Sequence, residues 1–391
     1  MPERLLSRRF VMVWFANLFS GVAWALMIHL PGFIEDLGAT ESYVGFTIGI
    51  ASVSAIAVRP WIGSGMDRRG RRPIILFGNA VQVSSTLLYL TVGALGPWLL
   101  MVRLIHGVAI GTMFTALSTY GADLVPAAKR TQGLALFGVS GMLPVALGGL
   151  IGDLVLRNDN WDAFFWTAFI FALIAAALSL GLPEVVTHSD EHRPAGFFKS
   201  LARSHLRPIW FVTLVFGTGL AAYFTFLRTF IDESGLGSVG LFFACYAGIA
   251  IALRVTVGWL PDRFGDKVVL APALLAVALG LAMLSIASTD AHIAIAGLLA
   301  GTGHGFAFPI LYSLTFTRSK FADRGSGIAI YTAMFDVGAL IGGPLWGVLI
   351  ERVDYSGMFV TASAVVVAGG LAFYAFDRHD ESRAAEVAGV T

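Results

Sequence analysis

RPWIGSGMDRRGRR, Arg59 to Arg72, returns 195 residues later as RVTVGWLPDRFGDK, Arg254 to Lys267. Arg59, Gly63, Asp67, Arg68, Gly70 and Arg72 of the first copy have counterparts at Arg254, Gly258, Asp262, Arg263, Gly265 and Lys267. Each copy follows an apolar run long enough to cross a bilayer and precedes another such run. One motif repeated at one offset implies a duplicated half.

Composition points to lipid as the solvent. Hydrophobic residues make up 57% of the 391 and charged ones 13%, against about 45–50% and about 25% in soluble domains. The 45 glycines suit helices that must approach closely without a hydrophobic force between them. A net charge of +1 gives no reason to expect nucleic acid as a partner. Cys245 is the single cysteine, which excludes an internal disulfide and a cysteine-ligated metal site. The sequence has no GxxxxGK[ST] phosphate cradle, no HExxH and no GxSxG elbow, so no enzyme and no cofactor is expected.

Runs of about 20 apolar residues predict an all-α integral membrane protein. Twelve transmembrane helices are expected, in two pseudo-symmetric six-helix bundles. The first six spans are 10–30, 42–64, 73–93, 98–120, 131–152 and 163–182. The second six are 208–231, 238–260, 268–288, 292–317, 325–350 and 355–376. This divides the chain into an N-terminal bundle (1–182), a linker (183–207), a C-terminal bundle (208–376) and a tail without regular structure (377–391). His188, His192 and His205 read as incidental residues of a charged linker, whose FFKSLARSHL suits a helix lying on the membrane surface. With both termini cytoplasmic, 20 of the 26 Lys and Arg fall in cytoplasmic segments. Only Arg157 and Arg352 fall outside, a strong positive-inside signal. A multi-pass protein of the cell inner (plasma) membrane is expected. Two similar halves of this kind are a recurrent plan of secondary transporters, with the substrate site between them.

The first motif copy resembles the signature of the major facilitator superfamily: a glycine, three residues, then Asp-Arg-x-Gly-Arg-Arg. Gly63, Asp67, Arg68, Gly70, Arg71 and Arg72 match it fully. Arg103, Gly107 and Gly111 in RLIHGVAIG resemble the family's fourth-helix motif, with His106 where glutamine is frequent. In GVSGMLPVALGG, Pro144, Gly148 and Gly149 resemble the fifth-helix motif of its proton antiporters. Leu143 replaces that motif's first glycine, and the spacing is one residue longer. The resemblance covers nearly the whole chain and lies closest to exporters that exchange a drug or metabolite for protons. It implies alternating access, a small-molecule substrate, protons as the coupling ion and a monomer in the bilayer. It also implies a cytoplasmic gate built from Arg59, Gly63, Asp67, Arg68, Gly70, Arg71, Arg72, Arg254, Gly258, Asp262, Arg263, Gly265 and Lys267. Asp123 and Arg130 resemble the companions of that latch. Gly63 and Gly258 are expected where two helices meet closely.

Within the spans, Asp336 is the one acidic residue at mid-depth. It lies eleven residues from Gly325, roughly 17 Å along a helix crossing a core of about 30 Å. A carboxylate there should face the protein interior, with a partner, and is the leading candidate for proton coupling. Arg103 joins it as a coupling and cavity residue, the first role implied by the resemblance. His106 and His304, at matching places in the fourth span of each half, are further coupling candidates. Arg228 is read as either a cavity cation or a residue snorkelling to the surface. Asn17, Trp24, Tyr223, Phe308 and Tyr312 complete the candidate cavity, with Gln82 as a further polar residue. The other readings are a facilitative uniporter or proton symporter for a small metabolite, and a non-transporting receptor or assembly protein on the same fold.

Overall fold

A backbone crossing hydrocarbon must satisfy its own N–H and C=O groups, and a helix does so within one segment. The apolar runs are helical in the computed structural model, which describes residues 6–126, 129–184, 200–319 and 324–387. The side chains of Asp67, Arg130, Thr131, Arg324 and 378–387 lie outside the described residues, as do His188 and His192 of the linker.

The first half contains α1 (Arg8–Asp36), α2 (Glu41–Arg69), α3 (Arg71–Leu88), α4 (Pro97–Asp123), α5 (Arg130–Val155) and α6 (Trp161–Leu180). The second continues with α7 (Arg207–Ser234), α8 (Val239–Thr256), α9 (Asp266–Ser285) and α10 (Asp290–Arg318). The last helical stretch, Arg324–Val387, is two helices run together at Asp354, whose φ of 69° and ψ of 178° break the helical path. Asp354 Oδ1 accepts from Gly357 N at 2.8 Å, so the residue that ends one helix caps the next. The parts on either side are α11 (324–353) and α12 (355–387). Eleven stretches of the described residues are long and apolar enough to span a membrane, and the last contains this break, which accommodates the expected twelve.

Two boundaries differ from the sequence reading. α1 runs past residue 30 to Asp36 because a 3-10 turn at Met27–His29 leads into a second helical segment with Pro31 in its first turn, where a missing N–H breaks no bond. α12 continues to Val387, where a tail without regular structure was expected from Asp377. That residue is held by two cations, as described below.

Gly70 and Gly265, the matching glycines of the two motif copies, have φ of 89° and 94°. In that region a β-carbon collides with its own backbone. Each glycine is therefore the sharp corner that starts α3 or α9. Large apolar side chains such as Ile170, Leu173, Leu279 and Leu371 are exposed on the outer surface, as helices facing lipid require.

The halves meet along two seams, α2 against α11 and α5 against α8. At the first, a β-carbon on Gly45 would collide with the backbone of Gly343, so the two helices touch main chain to main chain. Glu351 accepts from Ser42 N at 2.8 Å, and Glu41 accepts from the Tyr355 hydroxyl. At the second seam Asp153 accepts from Gly240 N at 2.7 Å, with Gly149 against Gly240. These contacts lie at the end of the molecule away from the two loop motifs. Gly63, expected at a close crossing, has open space where its β-carbon would be. A β-carbon on Gly258 would meet only the backbone of Arg254, one turn earlier in its own chain. The close approach is at Gly45 and Gly343, because the halves are shut at that end.

Gly343→Leu should therefore force the seam apart while Gly63→Leu should not. A short bifunctional thiol reagent bridging cysteines at 42 and 351, in a Cys245→Ala background, is expected to lose most of its yield in the first variant only. Equal yields in both would contradict the seam described here.

Candidate functional site

Asp336 has a partner, and it comes from the other half. Arg59 Nε and Nη2 both donate to Asp336 Oδ2, at 3.0 and 2.5 Å. Arg59 Nη1 donates to Thr332 Oγ1 at 3.0 Å and to Thr115 Oγ1 at 3.2 Å. Arg59 is 6% exposed and its donors are directed at α11 and α4. The sequence groups Arg59 with the loop motif and names no partner for Asp336; the packing puts Arg59 at the interface of the halves. Residues 42, 45, 49 and 59 of α2 contact α11 at 336, 340, 343 and 351, spacings that keep one face of each helix in register. Arg59 is the last member of that stripe, at the end of the seam nearer the loop motifs.

Arg103 is buried and away from Asp336. It donates to the carbonyls of Thr47 at 3.0 Å and Ile48 at 2.8 Å, and to the Tyr89 hydroxyl at 3.1 Å. Gly107 and Gly111 let α4 lie against Ala51 and Ala55 of α2, and this close contact directs Arg103 at the α2 backbone instead of a cavity. His106 shares the same Tyr89 hydroxyl at 3.1 Å. In the second half His304 bonds the Tyr246 hydroxyl. It also packs against Phe216, Phe308 and Phe335, one residue short of Asp336 and not on it.

Arg228 belongs to the closed end. Its Nε donates to Asp232 at 2.5 Å, and Nη1 lies 3.4 Å from His29 Nδ1 of α1. Gly32 leaves room for its side chain. His29, missed in the sequence reading, contacts the Gly149 carbonyl at 3.2 Å and Asp153 at 3.9 Å. Its place in the helix-breaking turn before Pro31 was the available signal. Asn17 donates to Ser140 at 2.9 Å, tying α1 to α5. Trp24 meets Phe224 across the halves at 6.3 Å. Tyr223 is fully buried among Phe224, Phe242 and Tyr246, which encloses it within the second bundle and away from a cavity wall. Phe308 is half-buried, while Tyr312, 43% exposed, packs edge-on to Tyr331. Gln82 is held by Ser20 through two bonds, at 2.8 and 2.9 Å, and joins α1 to α3.

The loop motifs are braced inside each half. Arg71 donates to Asp123 at 3.1 Å and to the Met66 carbonyl at 2.8 Å. Glu184 accepts from the backbone N–H groups of Arg71 and Arg72 at 2.7 and 3.3 Å, a carboxylate on a helix N-terminus. Arg72 reaches the Leu180 carbonyl at 3.1 Å. In the second copy Lys267 pairs with Asp377 at 2.6 Å. Arg318 grips Asp377 with both terminal nitrogens. Asp123 and Arg318 stand at the same 195-residue offset, so the acid of the brace lies on α4 in one half and on α12 in the other. Arg68, Asp262 and Arg263 are exposed, Arg263 lying 5.6 Å over Trp259 and 5.4 Å over Phe264.

Long apolar helices joined in two halves, with charges from opposite halves meeting inside, define a multi-pass membrane protein of transporter type. The family model of the Major Facilitator Superfamily matches residues 13–318 and 209–390, and the chain belongs to that superfamily. It is 22% identical over 370 residues to the MFS-type transporter YhhS of Escherichia coli (strain K12), covering 92% of this chain and 90% of that protein. It is 23% identical over 365 residues to the staphylopine export protein of Staphylococcus aureus (strain Mu50 / ATCC 700699), covering 88% and 89%. The crystal structure of the human organic anion transporter MFSD10 superposes with a TM-score of 0.71 at 18% identity, over 95% of this chain and all of that one.

Asp377 is 2% exposed between two cations, so removing it leaves both without their shared acceptor. Asp377→Ala should lose about 2 kcal/mol, the scale of hydrogen bonds to charged groups. Its effect should not add to that of Arg318→Ala, as checked by thermal denaturation of the purified single and double variants.

Proposed function

We propose that the protein is a proton-coupled exporter of a small organic molecule, working by alternating access in the inner membrane, with Asp336 as its coupling carboxylate. The observation that carries this reading is the Arg59–Asp336 pair, which joins the two halves at the inner end of the closed seam. The excess of basic residues supports a cytoplasmic position for the loop motifs; on that reading the seam shuts the outer face and the substrate site opens inward. While Asp336 is charged, it holds α2 to α11 through Arg59. A proton on Asp336 removes half of that ion pair, and Thr115 and Thr332 remain as acceptors for the arginine. That proton is taken up from outside once substrate bound from the cytoplasm has parted the seam, and it keeps the pair apart while the substrate leaves and the halves rock back. The proton leaves to the cytoplasm when the pair forms again. The export protein among the relatives supports the outward direction.

The reading is tested in proteoliposomes. A substrate is first found by screening drugs and metabolites for thermal stabilisation of the purified protein. Asp336→Asn is expected to bind that substrate normally and to lose pH-driven accumulation by about tenfold or more, because the amide cannot exchange a proton. Arg59→Gln should uncouple in the same way. Full accumulation by the Asn variant under an imposed pH difference would make Asp336 structural and favour a facilitative uniporter.

A further inference from the structure

Four arginines lie within or at the ends of the spans, and the structure disposes of three. Arg59 is paired with Asp336, Arg228 with Asp232, and Arg103 with two carbonyls and a hydroxyl. Arg254 is different. It is the repeat counterpart of Arg59, yet among the described residues no carboxylate lies within ion-pair distance of it. Its one hydrogen bond among the described residues is a long contact of 3.4 Å from Nε to the Gly305 carbonyl. Arg254 stands in the last turn of α8 and is half-buried, so a guanidinium with so little compensation from the described residues is available to a ligand.

The surroundings say what that is. Arg254 crosses from α8 toward the other half, its Nη1 lying 3.4 Å from where a β-carbon on Gly138 of α5 would stand. The missing side chain leaves space in front of the charge. On its own side the guanidinium is within electrostatic range of His304, Tyr246 and Tyr331. The His304 ring packs on Phe308 and Phe335, and Phe308 packs on Tyr331. His304, Phe308 and Phe335 are only half-buried. A planar cation with donors unused among the described residues faces α5 at a position without a side chain, beside partly open aromatic rings. Such a fork matches a carboxylate or a similar oxyanion, and the rings match an apolar or aromatic body.

We propose that Arg254 is the anion-binding group of the substrate site, and that the transported molecule carries a single oxyanion head on an aromatic or apolar body. The assignment rests on the transporter reading above and revises the source of the cavity's positive charge from Arg103 and Arg228 to Arg254.

The test uses the purified full chain in an uncharged detergent, with 2-naphthoate and naphthalene-2-sulfonate as probes. Neutral 2-naphthamide and cationic 2-naphthylmethylammonium serve as isosteric controls. Both anions should raise the melting temperature of the wild type and of Asp336→Asn at fixed pH, and the controls should not. Arg254→Gln should weaken anion binding by about tenfold or more, with Arg254→Lys intermediate. Gly138→Val keeps the charge but fills the space before it, and should weaken binding to a similar extent. Melting temperatures without ligand verify that each variant is folded. Equal anion affinity in wild type and Arg254→Gln overturns the proposal. So does stabilisation by the amide or ammonium to the same degree, or no response of the wild type to either anion at millimolar concentration. Loss of anion binding in Arg254→Gln alongside undiminished pH-driven accumulation in Asp336→Asn would sink the coupling role and leave this assignment standing.

Discussion

A guanidinium on α2 and a carboxylate on α11 meet between the two halves, where the low-dielectric surroundings strengthen their attraction and make either charge alone unfavourable. The rest of that seam holds no ion pair among the described residues: Gly45 against Gly343 and Gly49 against Leu340 are main-chain contacts, and Glu351 and Glu41 accept from Ser42 N and the Tyr355 hydroxyl. The Arg59–Asp336 pair is directional, with two nitrogens of the guanidinium on one carboxylate oxygen. It lies at the end of the glycine stripe, so the pair and the close contact at Gly45 and Gly343 are made by the same faces of α2 and α11.

The loop motifs brace each half internally in this structure. Arg71, Asp123 and Glu184 tie the ends of α3, α4 and the chain after α6, while Lys267, Arg318 and Asp377 tie α9, α10 and α12. The acid has moved from the fourth helix of one half to the last helix of the other. An ion-pair network tolerates this exchange because attraction depends on which charges are adjacent and not on which helix contributes each one. Two halves that look alike in sequence are therefore braced by different residues.

The membrane arginines illustrate how the same residue type is settled in several ways. Arg59 uses a carboxylate across the interface, Arg103 uses carbonyl lone pairs of a neighbouring helix, and Arg228 uses an acid one turn away in its own helix. In the interior each solution has to satisfy the charge locally, since water is scarce. Arg254 stands apart because, among the described residues, it has no acid beside it and one long bond to a carbonyl.

Much of this architecture was legible in the residues. Apolar runs of spanning length set the helices, since lipid permits few other backbone solutions. The offset between Arg59 and Arg254 established the repeat, and the depth of Asp336 marked it as a charge needing a partner. The corners at Gly70 and Gly265 are also local, because positive φ is a property of one residue. What the sequence left open was which faces oppose one another. Helical periodicity groups residues 45, 49 and 59 on one stripe but does not say that α11 lies across from it. The sequence reading therefore placed Arg59 with the loop, and could not say which cation meets Asp336. It likewise put Arg103 at a cavity and left Asp377 in the tail. Those partners lie 277 and 59 residues away along the chain for Arg59–Asp336 and Arg318–Asp377. Only the packing of helix on helix decides such pairings, because side-chain charges act over a few ångströms of space and not over separation in sequence.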